Sequence, residues 1–151
     1  SLNNNYANGT LGYNMFNTTV GQTDTQIKLH GNENGVSGSS GNYIAYLFAT
    51  LDGISKVGSY TGTGSDINVD CGFSAGARFI LIKRTDATGD WYLYDTARGI
   101  VAGADPFLKL NTNEAQDAGN DGIDPLSSGF IVTSSSGNNT SGGNYIFYAI
   151  A

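Results

Sequence analysis

A single cysteine, a single histidine and only two prolines among 151 residues set the first limits on this chain. One thiol cannot close an intramolecular disulfide, so the fold cannot depend on one. One His with one Cys cannot supply the three or four soft ligands of a zinc site. A Ser-His-Asp triad would have to use His30, which ends a β-rich run and enters Gly31-Asn32, and no Gly-x-Ser-x-Gly elbow accompanies it. Cys71 sits among Val69, Asp70, Gly72 and Phe73, neighbours that raise a thiol pKa, and it reads as a small buried residue.

Charge is scarce as well. Seven Lys and Arg face thirteen Asp and Glu, and the net charge of -6 repels phosphate backbones, so nucleic acid is not an expected partner. The longest apolar run, Tyr43 to Ala49, is too short to span a bilayer, and no basic-then-apolar leader stands at the start, so membrane insertion is not expected. Two prolines and glycines without a three-residue period exclude collagen.

Aromatic residues are what the chain has: seven Phe and nine Tyr, enough to fill the core of one domain of this length. Its apolar segments are short and end at Gly, Asn, Asp or Ser, a pattern that predicts an all-β fold. The expected architecture is an antiparallel, jelly-roll-like β-sandwich with little helix. The clearest element is a hairpin in which Phe79 to Arg84 and Trp91 to Tyr94 flank a turn at Asp86-Ala87-Thr88-Gly89. Its first strand is apolar on both faces and should be central in its sheet. Further strands are expected at Gln26 to His30, Asn42 to Ala49, Lys56 to Thr61, Phe107 to Leu110, Gly129 to Ser134 and Asn144 to Ile150, and a helical turn at Thr112 to Ala118.

The chain repeats itself. Gly41-Asn-Tyr-Ile-Ala-Tyr-Leu-Phe-Ala49 matches Gly143-Asn-Tyr-Ile-Phe-Tyr-Ala-Ile-Ala151 at six of nine positions, and each copy follows a Gly/Ser/Asn-rich stretch and an apolar run. Residues 1–49 therefore read as the back half of one repeat unit, packed into the same sandwich, and residues 50–151 as a complete unit.

Several segments of the second part carry a resemblance: Gly58-Ser59-Tyr60-Thr61-Gly62, Arg78-Phe79-Ile80-Leu81-Ile82-Lys83-Arg84-Thr85-Asp86, Gly89-Asp90-Trp91, Tyr94-Asp95-Thr96-Ala97-Arg98 and Asn144-Tyr145-Ile146-Phe147-Tyr148-Ala149. They are similar to a repeat domain of structural proteins in tailed bacteriophages, above all the tail-fibre-like proteins of marine and cyanobacterial phages. The resemblance implies a virion address, outside the host cell until adsorption, and no enzymatic activity. It also implies other virion structural proteins and a host-surface glycan or protein as partners, and a homo-oligomer, trimeric if the module belongs to a tail fibre. A capsid decoration or head-fibre protein is the alternative placement. A polysaccharide depolymerase working through Asp carboxylates is a third reading, of a different class.

Three groups of residues are candidate sites. Lys83, Arg84, Asp86, Asp90, Asp95 and Arg98 cluster on or beside the hairpin, where two carboxylates across a groove could hydrolyse a glycoside. The plainer account is ion pairing and turn capping, because cations crowd these acids and depress the pKa that a general acid needs raised. Trp91, with Tyr92 and Tyr94 on the opposite strand face, and Tyr60 could form an aromatic platform for sugar rings, unless alternation buries them. Asp117, Asn120, Asp121 and Asp124 are the ligands a calcium ion would use in the loop from Asp117 to Asp124, although the twelve-residue pattern ending in Glu is absent and an ordinary Asx-rich loop is the plainer account. No other cofactor is expected. Asn8, Asn17 and Asn138 fit the glycosylation acceptor pattern, which a chain so rich in Asn, Ser and Thr matches by chance.

Overall fold

The computed structural model describes residues 42–117 and 119–151, together with residues 23, 26, 27 and 29. They belong to two units, one containing Phe48–Ala151 and the other lying within Gly9–Leu47.

Phe48–Ala151 is all-β. Its strands are β1 (Ser55–Thr61), β2 (Ile67–Asp70), β3 (Phe79–Arg84), β4 (Trp91–Asp95), β5 (Phe107–Lys109), β6 (Ile123–Leu126), β7 (Gly129–Val132) and β8 (Asn144–Ile150). They form two sheets, ordered β1-β8-β3-β4-β5 and β2-β7-β6, and every pairing is antiparallel. Strand β3 is central, as its two apolar faces predict. Its register sets Lys83 opposite Trp91, Ile82 opposite Tyr92 and Ile80 opposite Tyr94.

Alternation then decides what is inside. Ile80 and Ile82 from β3, Tyr94 from β4, and Tyr145, Phe147 and Ala149 from β8 face Val69, Ile123, Phe130 and Val132 of the second sheet in one buried cluster. Phe130 meets Phe147 edge to face across the sheets, with ring centroids 5.3 Å apart. The two layers and this shared core make a β-sandwich. At Gly129 a side chain would collide with the Val69 carbonyl oxygen, so only glycine lets β7 come this close to β2.

Three expectations need correction. The stretch 42–49 has no ladder partner and no regular structure, because strand formers become a strand only when a neighbour satisfies their backbone. Of Gln26 to His30, the described residues show isolated bridges at Gln26, which pairs antiparallel with Thr23, and at Leu29, with no regular structure at Ile27, and Lys28 and His30 lie outside them. The stretch from Thr112 contains no helix among its described residues, and Asp117 instead exchanges backbone hydrogen bonds with Phe107. Strands β2 and β6 escaped sequence reasoning. Strand β6 carries Pro125, which is tolerated because β6 is an edge strand bonded to β7 alone.

Candidate functional site

The register of the five-stranded sheet gathers three loops. Thr61 at the end of β1 and Tyr145 near the start of β8 are paired, respectively, with Asn144 and with Arg84 at the end of β3. The loops after β1, β3 and β7 therefore meet where β8 begins.

Asn139, buried in the β7–β8 loop, locks two of them together. Its Oδ1 accepts from the Thr63 and Gly64 amides at 2.9 and 3.2 Å, and its Nδ2 donates to the Ser65 and Thr133 carbonyls at 2.8 and 2.9 Å. Gly62 and the Gly142-Gly143 pair exchange two further backbone bonds of 2.8 Å. The third loop joins through Asp86, whose Oδ1 accepts from the Asn144 amide at 3.0 Å and from Arg84 Nε at 2.9 Å. The result is a rim of Ser, Thr, Asn and Gly backbone and hydroxyl groups, fixed by hydrogen bonds on a sheet scaffold. Such a surface suits polar recognition rather than proton transfer.

The structure separates the four aromatic candidates. Tyr94 is only 2% exposed, and its hydroxyl accepts from Asn138 Nδ2 at 3.2 Å. Tyr60 lies nearly parallel to Tyr145 at 5.0 Å and donates its hydroxyl to the Asn138 carbonyl at 2.9 Å. Burial pushes both phenols well above their ordinary range. These two tyrosines are core members whose polar tips are satisfied by the β7–β8 loop, so they do not form an exposed platform. Asn138, held between them and 2% exposed, is sterically closed to a glycan despite its sequence pattern. Tyr92 also turns inward, against Phe107 at 5.3 Å, and is half-buried. Trp91 points to the opposite face of the sheet, is half-buried there, and stands at the rim end of β4. It is the aromatic candidate that the fold leaves on an outer face.

Every hairpin carboxylate has partners. Asp90 accepts from Asn111 Nδ2 at 2.8 Å and lies 3.5 Å from Lys109 Nζ. Asp95 pairs with Arg98 through both its side chain and its backbone amide. The Arg84 guanidinium and the Asn144 amide hold Asp86 at about 2. Because that value lies below the unbound 3.8, the contribution of Asp86 to stability is complete above about pH 4 and is lost as pH falls towards about 2. Asp86→Asn is accordingly expected to lower the urea midpoint at neutral pH, with the difference from wild type vanishing between about pH 4 and about pH 2. A difference that stays constant through that window would contradict the assignment.

The four calcium candidates do not converge. Asp117 caps its own turn, accepting from the Gly119 amide at 2.9 Å and Asn120 Nδ2 at 3.3 Å, whereas Asp124 accepts from the Gly103 amide at 3.3 Å. Asp121 keeps one buried oxygen without a hydrogen-bond partner, and burial, then the charges of Asp124, Asp105 and Asp66, raise its pKa. Among the described residues, no three His, Cys, Asp or Glu side chains are grouped to hold a metal ion.

Sequence reasoning missed Asp105, which is fully buried. It accepts from the amides of Val101, Ile123 and Gly122 at 3.0, 2.9 and 3.3 Å and ties the β4–β5 loop to the start of β6. Its burial raises its pKa against these three donors. Cys71 is buried as expected, and desolvation pushes its thiol up to about 11, so it is no nucleophile near neutrality. A cavity of about 250 Å³ opens between residues 75–78, Thr96, Ile100 and residues 125–127, with Arg78 as its charged group.

A family model described as a domain of unknown function, DUF7483, matches residues 1–151. The chain belongs to that family. The DUF7483 match takes in the rim, the sandwich beneath it and the N-terminal stretch alike. No curated protein and no solved structure matches the chain.

Proposed function

We propose that this chain is a non-enzymatic structural and receptor-binding module of a phage virion appendage of the tail-fibre kind. It adheres to a host-surface glycan or protein through the loop rim and the neighbouring Trp91. The observation that carries the recognition reading is the rim itself, in which Asn139 and Asp86 fix three polar loops on a rigid sandwich. Preorganised loops lose little conformational freedom on binding. The virion address rests on the resemblance of the Gly-Ser-Tyr-Thr-Gly and Ile-Lys-Arg-Thr-Asp segments to tail-fibre-like repeats. A capsid decoration shares both supports and differs in copy number on the particle.

The depolymerase reading finds less support. Asp86, Asp90 and Asp95 are each engaged by a cation, and Asp86 is driven towards permanent ionisation, the opposite of what a general acid needs.

A glycan array of bacterial surface polysaccharides, followed by an assay for released sugar, tests the reading. The expected result is binding without product, and Trp91→Ala should weaken that binding about tenfold, as loss of an aromatic anchor does. Sugar release abolished by Asp90→Ala or Asp95→Ala would overturn it in favour of the enzyme.

A further inference from the structure

We infer that the cavity between residues 75–78, Thr96, Ile100 and residues 125–127 binds a single carboxylate-bearing sugar ring, and that Arg78 takes the carboxylate. It is a different site from the rim. Strand β3 begins beside Arg78 and ends at Arg84 on the rim, so the cavity opens at the opposite end of the sandwich, where loops from both sheets meet.

The first observation is charge. Seven Lys and Arg stand against thirteen Asp and Glu in this chain, so carboxylate partners are in excess. Arg84 pairs with Asp86, and Arg98 with Asp95. Arg78 is the one arginine whose guanidinium has no hydrogen bond or ion pair among the described residues. Such a group offers a planar fork of N–H donors that fits a carboxylate in two parallel bonds.

The second is what surrounds it. Thr96 and Ser127, the other hydroxyl-bearing and charged residues on the cavity wall being Arg78 alone, have side chains with no hydrogen-bond partner among the described residues. Each hydroxyl can donate and accept, as the hydroxyls of a sugar require. Ile100, Pro125 and Leu126 supply an apolar wall for the C–H face of the ring. A cavity of about 250 Å³ is small for a drug-sized ligand and suits one ring.

The third is rigidity. The Arg78 amide donates to the Ile150 carbonyl at 2.7 Å, the Arg78 carbonyl accepts from the Thr96 amide at 3.0 Å, and the Ser127 carbonyl accepts from the Gly76 amide at 2.7 Å. The backbone of all three polar residues is thus fixed before a ligand arrives, which limits the entropy lost on binding. The same bonds argue against phosphate as the ligand. The successive amides of Gly76, Ala77 and Arg78 already donate to Ser127, Gly129 and Ile150, so they cannot form the nest of free N–H groups that phosphate sites use. The net charge of -6 also disfavours a polyanion far more than one carboxylate.

An NMR titration of the full chain with sodium D-glucuronate, and with D-glucose and inorganic phosphate as controls, tests this. Glucuronate should shift the Arg78 Nε–H and the amides of Thr96 and Ser127 saturably, with a Kd of about 1 mM, the scale that ligand efficiency sets for one ring. Glucose should bind at least about tenfold more weakly, and glucuronate should lose about as much on Arg78→Gln. The urea midpoint of Arg78→Gln should match that of the unaltered chain, because the guanidinium has no partner to lose, so weaker binding there is not a damaged fold. No saturable shift at Arg78, or glucose or phosphate bound as tightly as glucuronate, would overturn the inference. Trp91→Ala should leave glucuronate binding unchanged, so this site and the rim stand or fall separately; loss of binding in that variant would place the ligand at the rim and overturn the assignment to Arg78.

Discussion

Phe130→Ala is expected to cost about 3–5 kcal/mol, the range for deleting a fully buried aromatic side chain. Phe130 is completely buried on the inner face of β7, and its ring abuts Phe147 of the other sheet. Removing it opens a void that the backbone cannot close, because β7 is held on both sides by β2 and β6. Domains of this size are stable by only about 5–15 kcal/mol, so this one change would consume much of the margin. Urea unfolding should show a lower midpoint with an unchanged slope. Ile131→Ala, on the opposite face of the same strand, should cost far less. Equal losses would mean that the two sheets do not share the core described above.

The second large effect is expected at Asp105. Alanine there leaves the amides of Val101, Gly122 and Ile123 without their acceptor, and a buried donor so orphaned costs about 1–3 kcal/mol. A total loss of about 3 kcal/mol or more is expected for Asp105→Ala, and less for Asp105→Asn, which keeps one acceptor oxygen. The pH dependence has the opposite sign to that of Asp86. Since burial raises the pKa of Asp105 in the folded state, its carboxyl favours folding most at low pH, and that contribution falls as pH rises from 3.8 through the raised value. The deficit of Asp105→Asn should therefore narrow over that interval. A deficit that widens with pH would show that the three amides, rather than burial, dominate the titration.

Local patterning carried much of the fold. The β3–β4 hairpin, the central place of β3 and the opposed faces of Trp91 and Tyr92 follow from alternation and turn chemistry, and each is as expected. Strands β2 and β6 were not legible because Asn68, Asp70, Asp124 and Pro125 are poor strand formers, recruited by pairing with β7. The stretch 42–49 shows the converse, since a strong strand pattern stays unpaired where no neighbour is bonded to it.

The site was less legible than the fold. Alternation put Tyr92 and Tyr94 on one face but could not say that this face is the inner one, which depends on where the second sheet packs. Asp105 stands in an unremarkable Gly-Ala-Asp-Pro context, and its partners lie 4, 17 and 18 residues away, a separation that no local pattern reveals. Asn138 and Asn139 stood out only as a glycosylation pattern, whereas their work is to join loops and cap core tyrosines.

Quantitative mass spectrometry of purified phage particles whose genome encodes this chain tests the proposed address most directly. The account predicts that the chain is a stoichiometric component at the low copy number of a tail appendage. High copy number would move it to the capsid surface, and its absence from purified particles would contradict the account.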